Sequence, residues 1–172
     1  MMSKEKVLLH KGMDQVKRGE YELAMDYFSR VLEINPENSD AWNNRGVAFF
    51  RMGKITEALS SWDRSVELDI GNLEPLRNKA FALRDQGRLE ESLQIYDQLV
   101  AQSEEVGDYE SKAAVMAALG MLDEALAVLQ EAYESSKSPR IEKDIAMLMG
   151  FIEASREVEA EEVEEKDNYG KD

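Results

Sequence analysis

Large and small apolar residues recur along this chain at helical spacing. Leu8, Trp42, Leu76 and Tyr109 fall in register, and four residues after each stands Gly12, Gly46, Ala80 or Ala113. Residues four apart share one helix face, so each pair predicts a helix with a bulky position beside a small one. A second set follows, in which Ala24, Ala58, Ser92 and Ala125 are each succeeded four residues later by Phe28, Trp62, Tyr96 or Leu129. Between the two sets sits a glycine, Gly19, Gly53, Gly87 or Gly120, at steps of 34, 34 and 33 residues. The unit reads as two antiparallel helices joined at that glycine, where a left-handed backbone is least costly without a Cβ. Small residues mark where the helices come closest, and the large side chain on each fills the space beside the contact. A step this regular is a repeat array, which stacks into an elongated helical solenoid and works through its surface.

Turn chemistry sets the boundaries. Asn35-Pro36-Glu37-Asn38 ends the first unit, because proline lacks an amide proton and pushes the residue before it out of helix. Gly71-Asn72 closes the second, and Pro75 falls in the first turn of the next helix, where its missing donor goes unnoticed. The third unit ends at Gln102-Ser103-Glu104-Glu105 without Pro or Gly and is one residue short, so its second helix is expected to run long or end raggedly. The expected repeats cover about 5–38, 39–72, 73–105 and 106–139. Beyond Pro139, the spacing Ile141, Ile145, Leu148, Ile152 predicts a last amphipathic helix over about 140–155, capping the final apolar face. A smaller stripe of Met147, Phe151 and Ala154 lies opposite and calls for a fold-back or a partner, including a homodimer through Met147 and Phe151. From Ile152 to Asp172 there are nine acidic and three basic residues, so 156–172 is expected to be an acidic, disordered tail.

Composition narrows the function. The 172 residues carry 21 Lys and Arg against 36 Asp and Glu, a formal charge of −15, which repels nucleic-acid phosphates and anionic lipid. No nucleic-acid or membrane partner is expected. The absence of cysteine removes disulfides, thiolate metal sites and thiol nucleophiles. The N-terminal residues meet charge before an apolar run grows long enough for a signal peptide, so a cytoplasmic location is expected. His10 is the single histidine, and no Ser-His-Asp set assembles around it. Neither enzymatic activity, nor a cofactor, nor a metal is expected.

Residues 5–139 resemble four tetratricopeptide repeats, most fully in Trp42-Asn43-Asn44-Arg45-Gly46, Phe49, Gly53, Ala58 and Trp62, with phrasing similar to archaeal and bacterial members. The chain departs from the family at Gln15 where a tyrosine is common, at Ile70 and Lys137 where proline is common, and at Leu99 where a small residue is preferred. The resemblance implies an all-α, right-handed superhelical solenoid plus the C-terminal capping helix. It also implies a concave surface lined by the first helix of each pair, on which family members mostly bind peptide segments or other proteins.

That concave face would draw on Lys6, Leu9, His10, Met13, Lys17, Asn43, Asn44, Val47, Phe50, Arg51, Arg77, Asn78, Phe81 and Arg84, with Asp40, Glu74, Asp85 and Glu110 among them. Basic and apolar groups thus gather on one face of an acidic chain. They suggest a groove for an acidic or amphipathic peptide, with Met13, Val47, Phe50 and Phe81 as anchors and Arg51, Arg77 and Arg84 as carboxylate partners. The plainer alternative is that these arginines pair with neighbouring acids such as Glu74 and Asp85. A carboxylate clamp of the kind some family members use is not expected, because only Asn44 matches it while Leu9, Met13, Glu74 and Asn78 hold the other places. The expected function is a non-catalytic scaffold or adaptor that holds a partner's peptide segment; the alternative is a chaperone shielding an apolar segment of a client before assembly or secretion.

Other patterns have simpler readings. Lys11, Arg45, Lys79 and Lys112 recur one residue before each small position, and long side chains there lay their methylenes on the next helix with the charge outward. Phe28, Trp42, Trp62, Tyr96 and Tyr109 all fall at core positions rather than forming platforms for a base or sugar. The pairs Glu90-Glu91, Glu104-Glu105 and Asp123-Glu124 sit at helix starts or turns, where positive helix ends favour them.

Overall fold

The computed structural model describes residues 2–169, with side chains described over 2–158. The described residues form α-helices and connecting turns, without strands: α1 Lys4–Arg18, α2 Tyr21–Ile34, α3 Ser39–Arg51, α4 Ile55–Leu68, α5 Glu74–Asp85, α6 Leu89–Gln102, α7 Val106–Ala118, α8 Leu122–Ser136 and α9 Pro139–Tyr169. The chain divides into two compact units, one up to Leu99 and one from Val100, with the division falling inside α6.

The turn within each pair is built the same way four times. Gly19, Gly53, Gly87 and Gly120 have φ of 81°, 75°, 72° and 80°. Each glycine N–H donates to the carbonyl three residues back, and the next N–H donates to the carbonyl five back: Glu20 to Gln15 at 2.9 Å, Lys54 to Phe49 at 2.9 Å, Arg88 to Leu83 at 2.9 Å and Met121 to Met116 at 2.9 Å. This closing motif satisfies carbonyls that the helix end would orphan, and it requires the left-handed residue. Between pairs the chain uses side-chain caps instead. Asn38 Oδ1 accepts from Ala41 N–H at 2.7 Å to start α3, and Pro75 lies in the first turn of α5.

In the first unit α1 packs on α2 and α3 on α4, while α2·α3, α4·α5, α1·α3 and α3·α5 join successive pairs. Phe28 and Trp62 are buried, and each lies where a Cβ on the facing glycine would stand. At Gly46 that added carbon would fall 2.5 Å from Trp62 Nε1 and 2.7 Å from Cδ1. Helix-to-helix approach this close is available only to glycine there. Buried polar atoms tie the helices across the same seams: Trp62 Nε1 donates to the Asn43 carbonyl at 3.2 Å, Ser65 Oγ to Ser39 O at 2.8 Å and Ser92 Oγ to Ala80 O at 2.8 Å. Of the five aromatics expected in the core, Phe28, Trp62 and Tyr96 are buried, whereas Trp42 and Tyr109 are half-exposed. Each still directs its polar atom to a carbonyl, Trp42 Nε1 to Pro36 O at 2.9 Å and Tyr109 OH to Val100 O at 3.4 Å.

In the second unit α7 packs on α8 and α8 on α9. Ile141 and Ile152 of α9 are buried and Ile145 and Leu148 half-buried, so the stripe read from the spacing faces the unit's interior. The opposing Met147 and Phe151 are 65% and 59% exposed.

Two expectations about helix ends differ from the structure. The second helix of the third pair does not run long: α6 has 14 residues, as do α2 and α4. In the turn that follows it, without proline or glycine, Glu105 N–H donates to Ser103 Oγ at 3.0 Å. The last helix does not stop near 155 but continues to Tyr169, through residues expected as a disordered tail. Glu, Ala and Lys are strong helix formers, so a helix already nucleated on α8 propagates through them without an apolar face to bury. Residues 170–172 of the expected tail lie outside the described residues.

Candidate functional site

The expected binding residues lie on three helices of the first unit: Met13 and Lys17 on α1, Asn43, Asn44, Val47, Phe50 and Arg51 on α3, and Arg77, Asn78, Phe81 and Arg84 on α5. The spacings 43, 47, 50 and 77/78, 81, 84 each follow one face of a helix. Because α3 contacts α5 directly, the two faces meet.

Five of these residues form one cluster. Phe50 and Phe81 meet edge-to-face with centroids 5.9 Å apart at 77°, and Phe50 also lies 6.1 Å from the Trp62 ring at 47°. Phe50 is thus held against the buried core by Trp62, while Phe81 remains 45% exposed. The Arg84 guanidinium stacks over the Phe81 ring at 5.3 Å. One turn earlier, Asn78 Nδ2 donates to Asn43 Oδ1 at 3.0 Å, linking α5 to α3. Stacking and the amide bridge thereby immobilise side chains whose ordering would otherwise cost entropy on binding.

The remaining residues are arranged differently. Val47 is half-buried against the Trp62 cluster and Met13 against the core of the first pair, so their exposed area is smaller than an anchor role implies. Leu9, counted on the concave face in the sequence reading, is instead 8% exposed and part of the core, because α3 and α2 both close over that side of α1. Asn44 Nδ2 donates to the Asp40 carbonyl at 2.8 Å. Arg77 Nη1 meets Glu74 Oε1 at 2.8 Å, as the plainer alternative expected for that residue. Arg84 does not follow it: its guanidinium lies on the Phe81 ring, and Asp85 accepts from Gln86. Lys17 and Arg51 are exposed. His10 is exposed with Nδ1 2.7 Å from the Lys6 carbonyl, a contact within its own helix.

Two features escaped the sequence reading. Arg45 lies between aromatic rings, 5.1 Å from Trp42 and 5.3 Å from Phe49, and burial lowers its pKa. Aromatics three before and four after an arginine on one helix are the signal for such a sandwich. The related Lys79 reaches Asp63 on α4. The second feature is a cleft of about 380 Å³ in the second unit, lined by Glu110, Ala113, Ala114 and Ala117 of α7, Leu129 of α8, and Asp144, Met147 and Leu148 of α9. Its signal was three alanines on one helix with no large residue to fill the space in front of them. Within it, burial raises the Glu110 pKa; Arg140 opposes the shift and the neighbouring Asp144 adds to it. Among the described residues no His, Asp or Glu cluster could hold a metal ion, and no helix is long and apolar enough to cross a membrane.

Helical pairs closed by a glycine motif, packed large against small and repeated at a fixed step, define an all-α helical-repeat protein. Family profiles agree: a TPR repeat profile matches residues 14–53, and a tetratricopeptide repeat profile matches residues 73–98 and 111–131. The chain belongs to the tetratricopeptide repeat family. An uncharacterized protein of Methanocaldococcus jannaschii is 36% identical over 47 residues, which is 27% of this chain; the chain spans 55% of that relative's length. Among solved structures, MamA from Desulfovibrio magneticus RS-1 is similar with a TM-score of 0.72 at 15% identity, over 96% of this chain and 98% of that one. The first tetratricopeptide repeat domain of Spaghetti, bound to the HSP90 peptide SRMEEVD, is similar with a TM-score of 0.63 at 24% identity, over 68% of this chain and 96% of that one. These likenesses are likenesses of fold. Its repeats are those of a family of protein–protein interaction scaffolds.

Proposed function

We propose that the α3–α5 face of the first unit holds a peptide segment of a partner protein, and that the segment is amphipathic and acidic. The observation that carries this reading is the half-exposed Phe81, packed edge-to-face with Phe50 and with the Arg84 guanidinium over its ring. An aromatic anchor beside an ordered guanidinium suits an apolar side chain flanked by a carboxylate. A related fold, the Spaghetti domain, holds a peptide carrying two glutamates and an aspartate. Lys17 and Arg51 would add long-range attraction, while Arg77, already paired with Glu74, contributes less.

Affinity capture of partners from source cells, repeated with Phe81→Ala and with Arg84→Ala, tests the proposal. Both variants should lose the partner, and binding of the captured segment should weaken as salt rises because half-exposed charge pairs are screened. Retention of the partner by both variants, or binding indifferent to ionic strength, would refute it. Loss with Phe50→Ala and Phe81→Ala but not with Arg51→Ala, Arg77→Ala and Arg84→Ala would favour the chaperone alternative, in which an apolar client segment is shielded.

A further inference from the structure

The cleft of the second unit has the opposite chemistry. On one side the α7 face is small, with Ala114 exposed and Ala117 half-buried; on the other stands Met147 of α9, 65% exposed. At one end lie two carboxyl groups, Glu110 and Asp144. Glu110 Oε1 is buried without a hydrogen-bond donor; it forms an ion pair with Arg140 Nε at 2.8 Å, on a side chain 77% exposed, and a hydrogen bond between Glu110 and Asp144 helps to raise the Glu110 pKa. The end of the cleft therefore carries two acids against one solvent-facing base.

We propose that this cleft is a second docking site, which takes a cationic amphipathic helical segment of a partner. The segment's apolar side chains would lie between Ala114, Ala117 and Met147, with a Lys or Arg one turn away at Glu110 and Asp144. Charge complementarity selects this occupant. An anionic segment would bring further negative charge to two carboxyl groups in a chain of formal charge −15, whereas an ammonium or guanidinium supplies the donor that Glu110 Oε1 lacks. The volume of about 380 Å³ is near the lower end of the roughly 300–1,000 Å³ of ligand clefts, which suits a few side chains on one helix face rather than a long extended strand. Burial and the adjacent Asp144 raise the Glu110 pKa, and a cation seated beside the pair would bring that carboxyl back toward its ionised form.

The test uses the full chain and a fluorescein-labelled, Ala-based helical peptide carrying Leu and, four residues on, Lys, beside a counterpart with Glu in place of Lys. Fluorescence anisotropy should show binding of the Lys peptide and none of the Glu peptide. Ala114→Phe, which fills the cleft from an exposed position, and the double variant Glu110→Gln/Asp144→Asn should each weaken binding at least ~10-fold, about 1.4 kcal/mol. Phe81→Ala should leave it unchanged, which separates this site from the α3–α5 face. Equal binding of the two peptides, or indifference to Ala114→Phe while circular dichroism shows the variant folded, would overturn the proposal. So would sedimentation showing a dimer that Ala114→Phe dissociates, for the occupant would then be a second copy of this chain.

Discussion

Adding one methyl group at Gly46 tests whether the close packing of α3 on α4 sets the repeat. A Cβ there would lie 2.5 Å from Trp62 Nε1, 2.7 Å from Cδ1 and 2.8 Å from Cε2, so the indole must move by about an ångström to reach ordinary contact. Trp62 is 2% exposed and its Nε1 holds the Asn43 carbonyl, so the ring has little room and a bond to lose. Overpacking costs about 1–3 kcal/mol and the lost hydrogen bond about 0.5–1.5 kcal/mol, while alanine returns about 1 kcal/mol of helix propensity. Gly46→Ala should therefore destabilise by about 2 kcal/mol, lowering Tm by roughly 4–8 °C for a chain of this length. The fourth pair supplies the control, because there Ala113 and Leu129 occupy the places of Gly46 and Trp62. On a Trp62→Leu background Gly46→Ala should cost nothing, or stabilise by up to about 1 kcal/mol, an interaction that a double-mutant cycle resolves. Urea unfolding followed by circular dichroism measures all four proteins. Gly46→Ala that is neutral in the native background, or equally costly in both, would refute the reasoning.

Gly53→Ala probes conformation instead of space: nothing lies within 4 Å of an added Cβ, but φ is 75°, so a loss of about 1–2 kcal/mol is expected in the same assay and a neutral result would count against the turn argument. Donation from Asn38 at 2.5 Å and Asn35 at 2.9 Å, then attraction to Lys6, holds the Glu5 carboxyl below its usual pKa. A folded pKa below the unfolded one gives stability that is complete above the unfolded value, near 4.3, and is lost as pH falls through the folded value. Glu5→Gln should accordingly flatten that part of the acid limb in Tm-versus-pH scans, and an unchanged limb would contradict the assignment. At Glu110 the sign reverses: burial raises the pKa, so the ionised form costs the folded state stability at neutral pH. Glu110→Gln should raise Tm at pH 7, with the gain shrinking as pH falls through the raised pKa toward the unfolded value; a lower Tm at pH 7 would show that the Arg140 pair outweighs burial.

The helical pairs and their turns were legible because they depend on short-range rules. Bulky and small residues four apart, and a glycine able to hold positive φ, are local requirements that each pair meets by itself. The placement of Phe28 and Trp62 opposite Gly12 and Gly46 follows from the same periodicity. Helix ends were less legible. Residues 156–169 have a composition that cannot bury a core, yet the same Glu, Ala and Lys favour a helix that packing has already started. Similarly, the turn that follows α6 uses a Ser103 side-chain bond that no periodicity records.

For the candidate sites the division is sharper. The α3–α5 face could be drawn from the spacing of Asn43, Val47, Phe50, Asn78, Phe81 and Arg84, but spacing did not reveal that Arg84 stacks on Phe81 while Arg77 pairs with Glu74. Nor did it show that Leu9 turns into the core, since which side of α1 is covered depends on where α2 and α3 lie. The cleft beside Glu110 is space left by alanines on α7 and walled by Met147 and Leu148 about 30 residues later, and empty space has no residue to announce it. By itself the sequence determined the repeat, the helices and the seam within each pair, because those arise from contacts one or two turns apart. Only the tertiary structure decided which polar and apolar side chains meet across pairs, where the cleft opens and which carboxyl group is left buried beside it, because these depend on distances between helices that the chain's periodicity does not contain.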